Sequence, residues 1–223
     1  MAMARSRLIG GQVSSRLPAR RERRAVAASR GVTPLLVAYA VGLALVLGLG
    51  SAYRAINAGY PFGSVQVGPW TAWPRLGSRD ADPYARAVIA RTGEIPLAVG
   101  EGLLLTTVVD GSGRALEARC AYRIGGTAPQ ARLWTLTLYD GEGRPVATEL
   151  NRSGFTSAEV IRDGAGRFTI GLSRDPQPGN WLRMPDGGRV TLAMRLYDTP
   201  AAVGSAALDA RALPAIERLE CAS

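Results

Sequence analysis

The residues best suited to binding a ligand are aromatic and arginine side chains. The loop 175–181 reads DPQPGNW, and its two prolines reduce its flexibility, so Trp181 can offer a flat face to a sugar ring or an apolar ligand. Arg195 interrupts the apolar run 192–197, and on an enclosed face its guanidinium would need a carboxylate or carbonyl partner, or would bind an anion. Two alternatives stay open, in which Trp181 fills the core and Arg195 faces solvent. The candidate ligand-binding residues are Trp134, Asn151, Arg152, Trp181, Arg195 and Tyr197.

Covalent catalysis has few candidate residues. The chain contains no histidine, which excludes Ser-His-Asp and Cys-His catalysis and any histidine-ligated metal. A hydrolase would have to use two facing carboxylates about 5–10 Å apart. The candidates for such a pair are Glu101, Glu149, Asp175 and Asp198. We therefore expect non-covalent binding with no cofactor and no metal, and a carboxylate-dependent hydrolase is the alternative.

An uncharged apolar run over residues 31–53 follows a cluster of eight arginines, which only Glu22 opposes. Roughly 20 helical residues span the ~30 Å hydrocarbon layer of a bilayer, and basic residues stay on the cytoplasmic side. The pattern predicts a basic cytoplasmic tail over residues 1–30 and a transmembrane signal anchor over residues 31–53. The chain would then cross a bacterial inner membrane once and place its remainder in the periplasm. A signal peptide cleaved after Ala52 is the alternative.

The formal net charge of +9 belongs mostly to this N-terminal segment. Residues 55–223 contain 18 arginines and 17 acidic residues, so that part of the chain is almost neutral. The basic tail is suited to the anionic headgroups of a membrane. We therefore expect no nucleic-acid partner.

Residues 54–78 are rich in glycine, proline and tryptophan, a composition that disfavours a regular helix. It predicts an extended connector that leads into a domain over residues 79–223. Trp70 and Trp73 have two interpretations, since they can pack onto that domain or lie at the level of the lipid headgroups.

The rest of the chain predicts one helix followed by strands. Asp82 is a good N-cap, Pro83 suits the first helical position, and Gly93 can end the helix in a left-handed conformation. Alternating or β-rich runs bounded by acidic-glycine turns then predict a meander of antiparallel strands. The predicted strands cover residues 103–109, 116–124, 133–139, 167–172, 190–197 and 215–219. The predicted fold is all-β, an antiparallel jelly-roll-like β-sandwich with one leading α-helix, preceded by the N-terminal transmembrane helix.

Cys120 and Cys221 are the only cysteines, and both follow the apolar run. A compartment beyond the inner membrane permits disulfides, so the two are candidates for a bond that would close a loop of about 100 residues and contribute up to ~4–5 kcal/mol. Two unpaired thiols are the alternative.

Several stretches together resemble the family known as domain of unknown function 1214, especially its short, membrane-anchored proteobacterial members. The resemblance covers most of residues 68–220 and implies a jelly-roll β-fold. Longer relatives add a second domain, domain of unknown function 1254, which this chain lacks, so a separate companion protein of that type is expected to supply it. The stretches that carry the resemblance are residues 68–77, 82–86, 134–140, 150–152, 166–173, 175–181 and 192–197.

These observations predict a binding or interaction module for an envelope carbohydrate, a lipid or a partner protein. Its contacts would be aromatic stacking and arginine hydrogen bonds. Besides the hydrolase, the alternative is a structural subunit that docks on a companion protein through an exposed apolar patch.

Overall fold

The computed structural model describes residues 33–57, 59–60, 62–128, 130–146, 152–202 and 208–222. The predicted tail 1–30 lies outside these residues. The first helix, α1 (Pro34–Asn57), contains 24 residues and is long and apolar enough to cross a membrane. It begins at a proline, which the first helical turn tolerates because its N–H groups have no helical partner. The apolar helix continues four residues beyond the predicted end at residue 53.

The remaining described elements are one further α-helix, two 3₁₀ helices and ten strands in two sheets. The six-stranded sheet has the order β1-β2-β3-β9-β5-β6, and the four-stranded sheet has the order β10-β4-β7-β8. The helices are α2 (Pro83–Thr92) and the 3₁₀ turns Pro200–Ala202 and Ala210–Ala212. The strands are β1 (Val65–Val67), β2 (Trp70–Ala72), β3 (Gly102–Thr107), β4 (Cys120–Gly126), β5 (Leu133–Tyr139), β6 (Gly154–Thr156), β7 (Phe168–Ser173), β8 (Asn180–Arg183), β9 (Thr191–Tyr197) and β10 (Ala215–Cys221).

The inner faces of the two sheets share one apolar core. Leu105 and Leu196 of the six-stranded sheet belong to the same buried cluster as Tyr122 and Ile170 of the four-stranded sheet, and none of the four is exposed. Two sheets that bury their inner faces against a common core are consistent with a β-sandwich. The predicted alternation along β4, β5 and β9 is confirmed, although β4 begins at Cys120 and not at residue 116.

The predicted antiparallel meander is wrong in two respects. First, β9 lies between β3 and β5, so the six-stranded sheet does not follow chain order beyond β3. Second, β8 pairs with β7 in parallel, with Asn180 beside Ile170. The Asn180 side chain fixes that start of β8, because its Nδ2 donates to the carbonyl oxygens of Thr169 (2.9 Å) and Ile161 (2.8 Å).

Residues 54–78, predicted as an extended connector, contain the end of a helix and two short strands. The first of these residues continue α1, and β1 and β2 form a hairpin that pairs with β3. Trp70 is fully buried, and its indole Nε1 donates to the carbonyl oxygen of Pro214 at 2.9 Å. The globular fold therefore includes residues well before the predicted domain start at residue 79.

The helix α2 has the predicted boundaries. The carboxylate of Asp82 accepts from the backbone N–H groups of Tyr84 and Ala85 (both 3.0 Å), and Gly93 ends the helix with φ 69°. The buried face carries Ala85 and Val88, and Ala85 belongs to a buried cluster with Leu104 and Ala193 on the outer face of the six-stranded sheet.

Three turns share the sequence Asp-Gly-X-Gly-Arg and the same hydrogen-bond pattern. In each, one aspartate oxygen accepts from the N–H groups two and four residues later, and the second glycine has φ between 75° and 82°. The aspartates of these turns are Asp110, Asp140 and Asp163. Asp110 differs from the other two because it is only 1% exposed.

Asp110 also connects two segments that are far apart in the sequence. Arg218 of β10 donates from Nε to Asp110 Oδ2 at 2.7 Å, and its guanidinium lies 5.4 Å from the centre of the Tyr122 ring. Beside Arg218, Cys120 and Cys221 are joined by a disulfide with an S–S distance of 2.00 Å. Burial raises the pKa of Asp110, but hydrogen bonds from Ser112, from the backbone of Arg114 and from Arg218 outweigh it and lower the pKa to about 2.

Candidate functional site

A large open groove lies on the outer face of the four-stranded sheet. Its volume is about 530 Å³, within the range of about 300–1,000 Å³ that is usual for small-molecule sites. A second concavity of about 340 Å³ shares several of its lining residues and extends it along the sheet. The shared residues are Arg123, Asp163, Arg167 and Thr169.

The groove exists because the outward-facing residues of its central strands are small. Ala121 of β4 and Thr169 and Gly171 of β7 line it, and the register places Arg123 opposite Gly171. Walls rise on either side, where the Asp-Gly turn before β7 and the loop 174–179 project above the sheet. A methyl group added at Gly171 would meet only ordinary contacts, the nearest being Gln177 Cβ at 3.8 Å, so the floor has room for a ligand atom.

Three arginines line the groove, but they differ in how they are paired. Arg123 forms an ion pair with Glu217 (2.9 Å), and Arg167 forms one with Asp163 (3.1 Å). Arg162 donates to the carbonyl oxygen of Gly166 at 3.0 Å and forms no ion pair with any carboxylate among the described residues. Arg162 is therefore the guanidinium in the groove that is best placed to meet an anionic group.

Apolar side chains complete the lining of the groove. Ile161 is 66% exposed and Leu219 is 46% exposed, and both line the cavity. The groove thus presents guanidinium and amide groups and the carboxylates of Asp163 and Glu220, together with apolar surface. That combination suits a ligand with polar edges and an apolar face.

A second polar cluster lies on the other sheet, around Arg195. Arg195 donates from Nη1 to the hydroxyl of Tyr139 at 3.0 Å, and its Nη2 lies 3.8 Å from Glu94 Oε1. Tyr60 donates its hydroxyl to Glu94 Oε2 at 2.7 Å. Burial raises the pKa of Tyr60 above its usual value, and the hydrogen bond to Glu94 raises it further. Because Arg195 already has a carboxylate partner, this cluster ties the segment around Tyr60 and Glu94 to the sheet.

Residues 101–201 match the model of the family described as "Protein of unknown function (DUF1214)". The chain carries a DUF1214 domain. No curated protein matches the chain.

Two solved crystal structures are similar to the chain beyond the matched DUF1214 region. The VPA0106 protein from Vibrio parahaemolyticus is 19% identical with a TM-score of 0.55, and the match covers 86% of this chain and 47% of that one. A putative uncharacterized protein from Burkholderia cenocepacia is 18% identical with a TM-score of 0.41, covering 85% of this chain and 44% of that one. The first match shows a shared fold. This chain spans less than half the length of either protein.

The DUF1214 domain does not bring the predicted ligand-binding residues to one surface. Trp134 is buried in the core beside Phe168, with ring centres 4.8 Å apart, on the opposite face of β5 and β9 from Arg195. Trp181 lies on β8 of the other sheet, and its Nε1 donates to Ser173 Oγ at 2.9 Å.

The other members of that set are equally dispersed. The Arg152 guanidinium lies over the Phe155 ring at 5.0 Å, and Tyr197 is partly exposed on β9. Asn151 lies outside the described residues. The expectation of a single aromatic and arginine surface is therefore replaced by the groove, because the aromatic rings are used to fill or cover the core.

Of the carboxylates considered for hydrolysis, none that the structure describes lines the groove. Glu101 and Asp198 meet through their backbones, since the Asp198 N–H donates to the Glu101 carbonyl oxygen at 2.7 Å, and the Asp198 side chain is paired with Arg132 at 3.3 Å. Asp175 is exposed in the loop before β8. Glu149 lies outside the described residues.

Of the groove residues, the sequence analysis singled out only the loop 175–181, whose residues 177–180 line the groove, and it missed the floor residues. Their signal is the small size of the outward positions on two strands, 121 and 125 on β4 and 169 and 171 on β7. This signal becomes visible only when the pairing of β4 with β7 is known.

Proposed function

We propose that this protein is a membrane-anchored binding module that holds an acidic carbohydrate of the bacterial cell envelope in the groove of its DUF1214 domain. The observation that carries the proposal is the groove itself, with its small floor residues, the exposed Ile161 and Leu219, and Arg162, which forms no ion pair among the described residues. Guanidinium groups hydrogen-bond to carboxylates and hydroxyls, and apolar side chains can contact the apolar face of a sugar ring. Binding would be non-covalent.

The placement of this module is part of the same proposal. The apolar helix α1 and the arginines that precede it support a single pass through the inner membrane, with a cytoplasmic N-terminus and a periplasmic domain. The pairing of Cys120 with Cys221 suits an oxidising compartment. A companion protein of the domain of unknown function 1254 type is consistent with the greater length of the two similar structures.

The test is to measure binding to the full chain in lipid nanodiscs by isothermal titration calorimetry. The probe is an oligosaccharide of uronic acids, and the matching neutral oligosaccharide is the comparison. We expect saturable binding of the acidic probe and weaker binding of the neutral one. Arg162→Gln removes one charge-assisted hydrogen bond, worth about 1.5–3 kcal/mol, so the affinity should fall by about 10-fold to 100-fold.

A steric variant tests the location of the site. Gly171→Leu fills the floor of the groove, and it should abolish binding, whereas Gly171→Ala adds only the methyl group for which the groove has room. Arg132→Gln is the matched charge control, because Arg132 is exposed on the six-stranded sheet. Binding that survives Gly171→Leu would contradict the proposed site. Equal affinity for the acidic and the neutral probe would contradict the role of the arginines.

A further inference from the structure

The short segment after α1 is fastened to α2 at two points. Arg91 donates from Nη1 to the side-chain oxygen of Asn57, the last residue of α1. Phe62 packs edge-on against Tyr84, with ring centres 5.8 Å apart. Tyr84 and Arg91 are seven residues apart, about two helical turns, so they lie on the same face of α2. This face of α2 therefore lies beside the chain that leaves the apolar helix.

A third contact holds the same segment against the domain. Tyr60 donates its hydroxyl to Glu94 at 2.7 Å and packs edge-on against Trp73, with ring centres 5.5 Å apart. Five residues separate Asn57 from Phe62, which limits their separation to about 18 Å even in a fully extended chain. The domain is thus fixed close to the end of α1.

The chemistry of this face matches a bilayer surface. Phe62 is 58% exposed and Tyr84 is 39% exposed, although both are aromatic. Arg54 and Arg91 are exposed, and neither forms an ion pair with a carboxylate among the described residues. Aromatic rings are enriched at the level of lipid headgroups, and each arginine near an anionic surface adds to the attraction.

The acidic residues near this face do not cancel its charge. The carboxylate of Asp82 is used by the N–H groups at the start of α2, and Glu94 is held by Tyr60 and Arg195. Asp80 is the remaining exposed carboxylate in this part of the described chain. The local balance is therefore positive, as an anionic partner requires.

We propose that the α2 face, made of Phe62, Tyr84 and Arg91 together with the neighbouring Arg54, rests on the anionic phospholipid headgroups next to α1. The aromatic pair enters the boundary between headgroups and acyl chains, and the arginines contact lipid phosphates. This inference rests on the proposed membrane placement of α1. It does not depend on the ligand of the groove.

The experiment places a fluorescent probe on single cysteines in the full chain, reconstituted in nanodiscs. The described native cysteines are paired in a disulfide, so labelling without a reductant directs the probe to the new thiol. The test sites are Phe62→Cys and Tyr84→Cys. Leu45→Cys, within α1, reports the membrane placement, and Ala165→Cys, in the exposed turn before β7 of the other sheet, is the matched control. A phosphatidylcholine that carries a doxyl group near the headgroup is the quencher for residues 62, 84 and 165, and one that carries it deep in the acyl chain is the quencher for residue 45.

In nanodiscs of phosphatidylglycerol, we expect the probes at residues 62, 84 and 45 to lose fluorescence and the probe at residue 165 to keep it. Replacement of phosphatidylglycerol by phosphatidylcholine, or the addition of Arg54→Gln, should weaken the quenching at residue 62 and leave it unchanged at residue 45. Unquenched probes at residues 62 and 84 with a quenched probe at residue 45 would overturn this inference and leave the anchor intact. An unquenched probe at residue 45 would overturn the membrane placement as well.

Two further outcomes would reject parts of the proposal. Quenching at residue 62 that is the same in both lipids would refute the contact of the arginines with anionic headgroups. Fluorescence at residues 62 and 84 that changes with the ratio of protein to lipid, without quenching, would assign the face to a second copy of the chain.

Discussion

Replacement of Asp110 by asparagine should destabilise the domain far more than the same replacement in the other two Asp-Gly-X-Gly-Arg turns. The Asp110 carboxylate is 1% exposed and forms an ion pair with Arg218, whose side chain is 10% exposed. Removal of one partner leaves a buried guanidinium without its counter-charge, a change that costs about 3–5 kcal/mol. In Asp163→Asn, the corresponding side chain is 45% exposed, so solvent compensates for the lost charge and a smaller loss is expected.

The pH dependence gives an independent measure of the same ion pair. The pKa of Asp110 is lowered from 3.8 to about 2, a shift equivalent to about 2 kcal/mol of stability at neutral pH. Because the pKa is lowered in the folded state, this stabilisation is present above about pH 4 and is lost as the pH falls towards about 2. The difference in stability between the native chain and Asp110→Asn should therefore shrink by about 2 kcal/mol over that range.

Urea unfolding of the full chain in a non-ionic detergent, followed by tryptophan fluorescence, measures these differences. A loss of about 3 kcal/mol at about pH 7 should also lower the Tm by roughly 6–12 °C for a chain of this size. The reasoning would be refuted by equal losses for Asp110→Asn and Asp163→Asn. The native chain and Asp110→Asn could instead differ in free energy of unfolding by the same amount from about pH 7 to about pH 2. That result would refute the assignment of the loss of stability in acid to Asp110.

Three further predictions follow from other parts of the domain. Trp70→Phe leaves the carbonyl oxygen of Pro214 without its donor, so it should lower the free energy of unfolding in urea by about 1–3 kcal/mol. An unchanged free energy of unfolding would place the indole outside the fold. The mass of the non-reduced protein should be about 2 Da lower than the mass of the reduced protein, and equal masses would exclude the disulfide. Cys120→Ser or Cys221→Ser should lower the Tm, because each removes a cross-link worth up to about 4–5 kcal/mol. Because the pKa of Tyr60 is raised in the folded state, stability should fall as the pH rises above about 10. Tyr60→Phe should remove that part of the fall in urea titrations at alkaline pH, and the same fall in both proteins would contradict the role of Tyr60.

The elements that could be predicted from the sequence are those whose signals are local. The strand β5 carries alternating buried residues and ends at Asp140, where an acidic-glycine turn begins, so its bounds match the prediction. The helix α2 has its N-cap at Asp82 and its left-handed C-cap at Gly93, both of which are visible within a few residues. Local chemistry decides these boundaries, and tertiary contacts only reinforce them.

The elements that were missed depend on distant partners. The strands β1 and β2 have three residues each and lie in a segment rich in glycine and proline, and Trp70 finds its acceptor 144 residues later, at Pro214. The parallel start of β8 depends on the amide of Asn180, which hydrogen-bonds to Ile161 and Thr169. Composition around these residues indicates loops, and only the assembled sheets supply the hydrogen bonds that make them strands.

The candidate site was missed for a related reason. The sequence analysis favoured large aromatic residues, and Trp134 is among the most buried of them because an alternating strand directs such side chains into the core. The floor of the groove is formed by small residues, such as Gly171, which lies beside Arg123 of the neighbouring strand. Register between strands decides which small residues become neighbours, and a single sequence does not contain that information.

The contact between Trp70 and Pro214 also has a consequence for how the chain reaches its native state. The pairs Asp110–Arg218 and Cys120–Cys221 likewise join residues about a hundred positions apart. Such non-local contacts slow folding, because a long loop must close before any of them forms. During synthesis, the apolar faces of the core strands therefore remain exposed to solvent until residues near 215 have been made. During that interval β3 and β5, whose side chains are mostly buried in the native state, are exposed to aggregation.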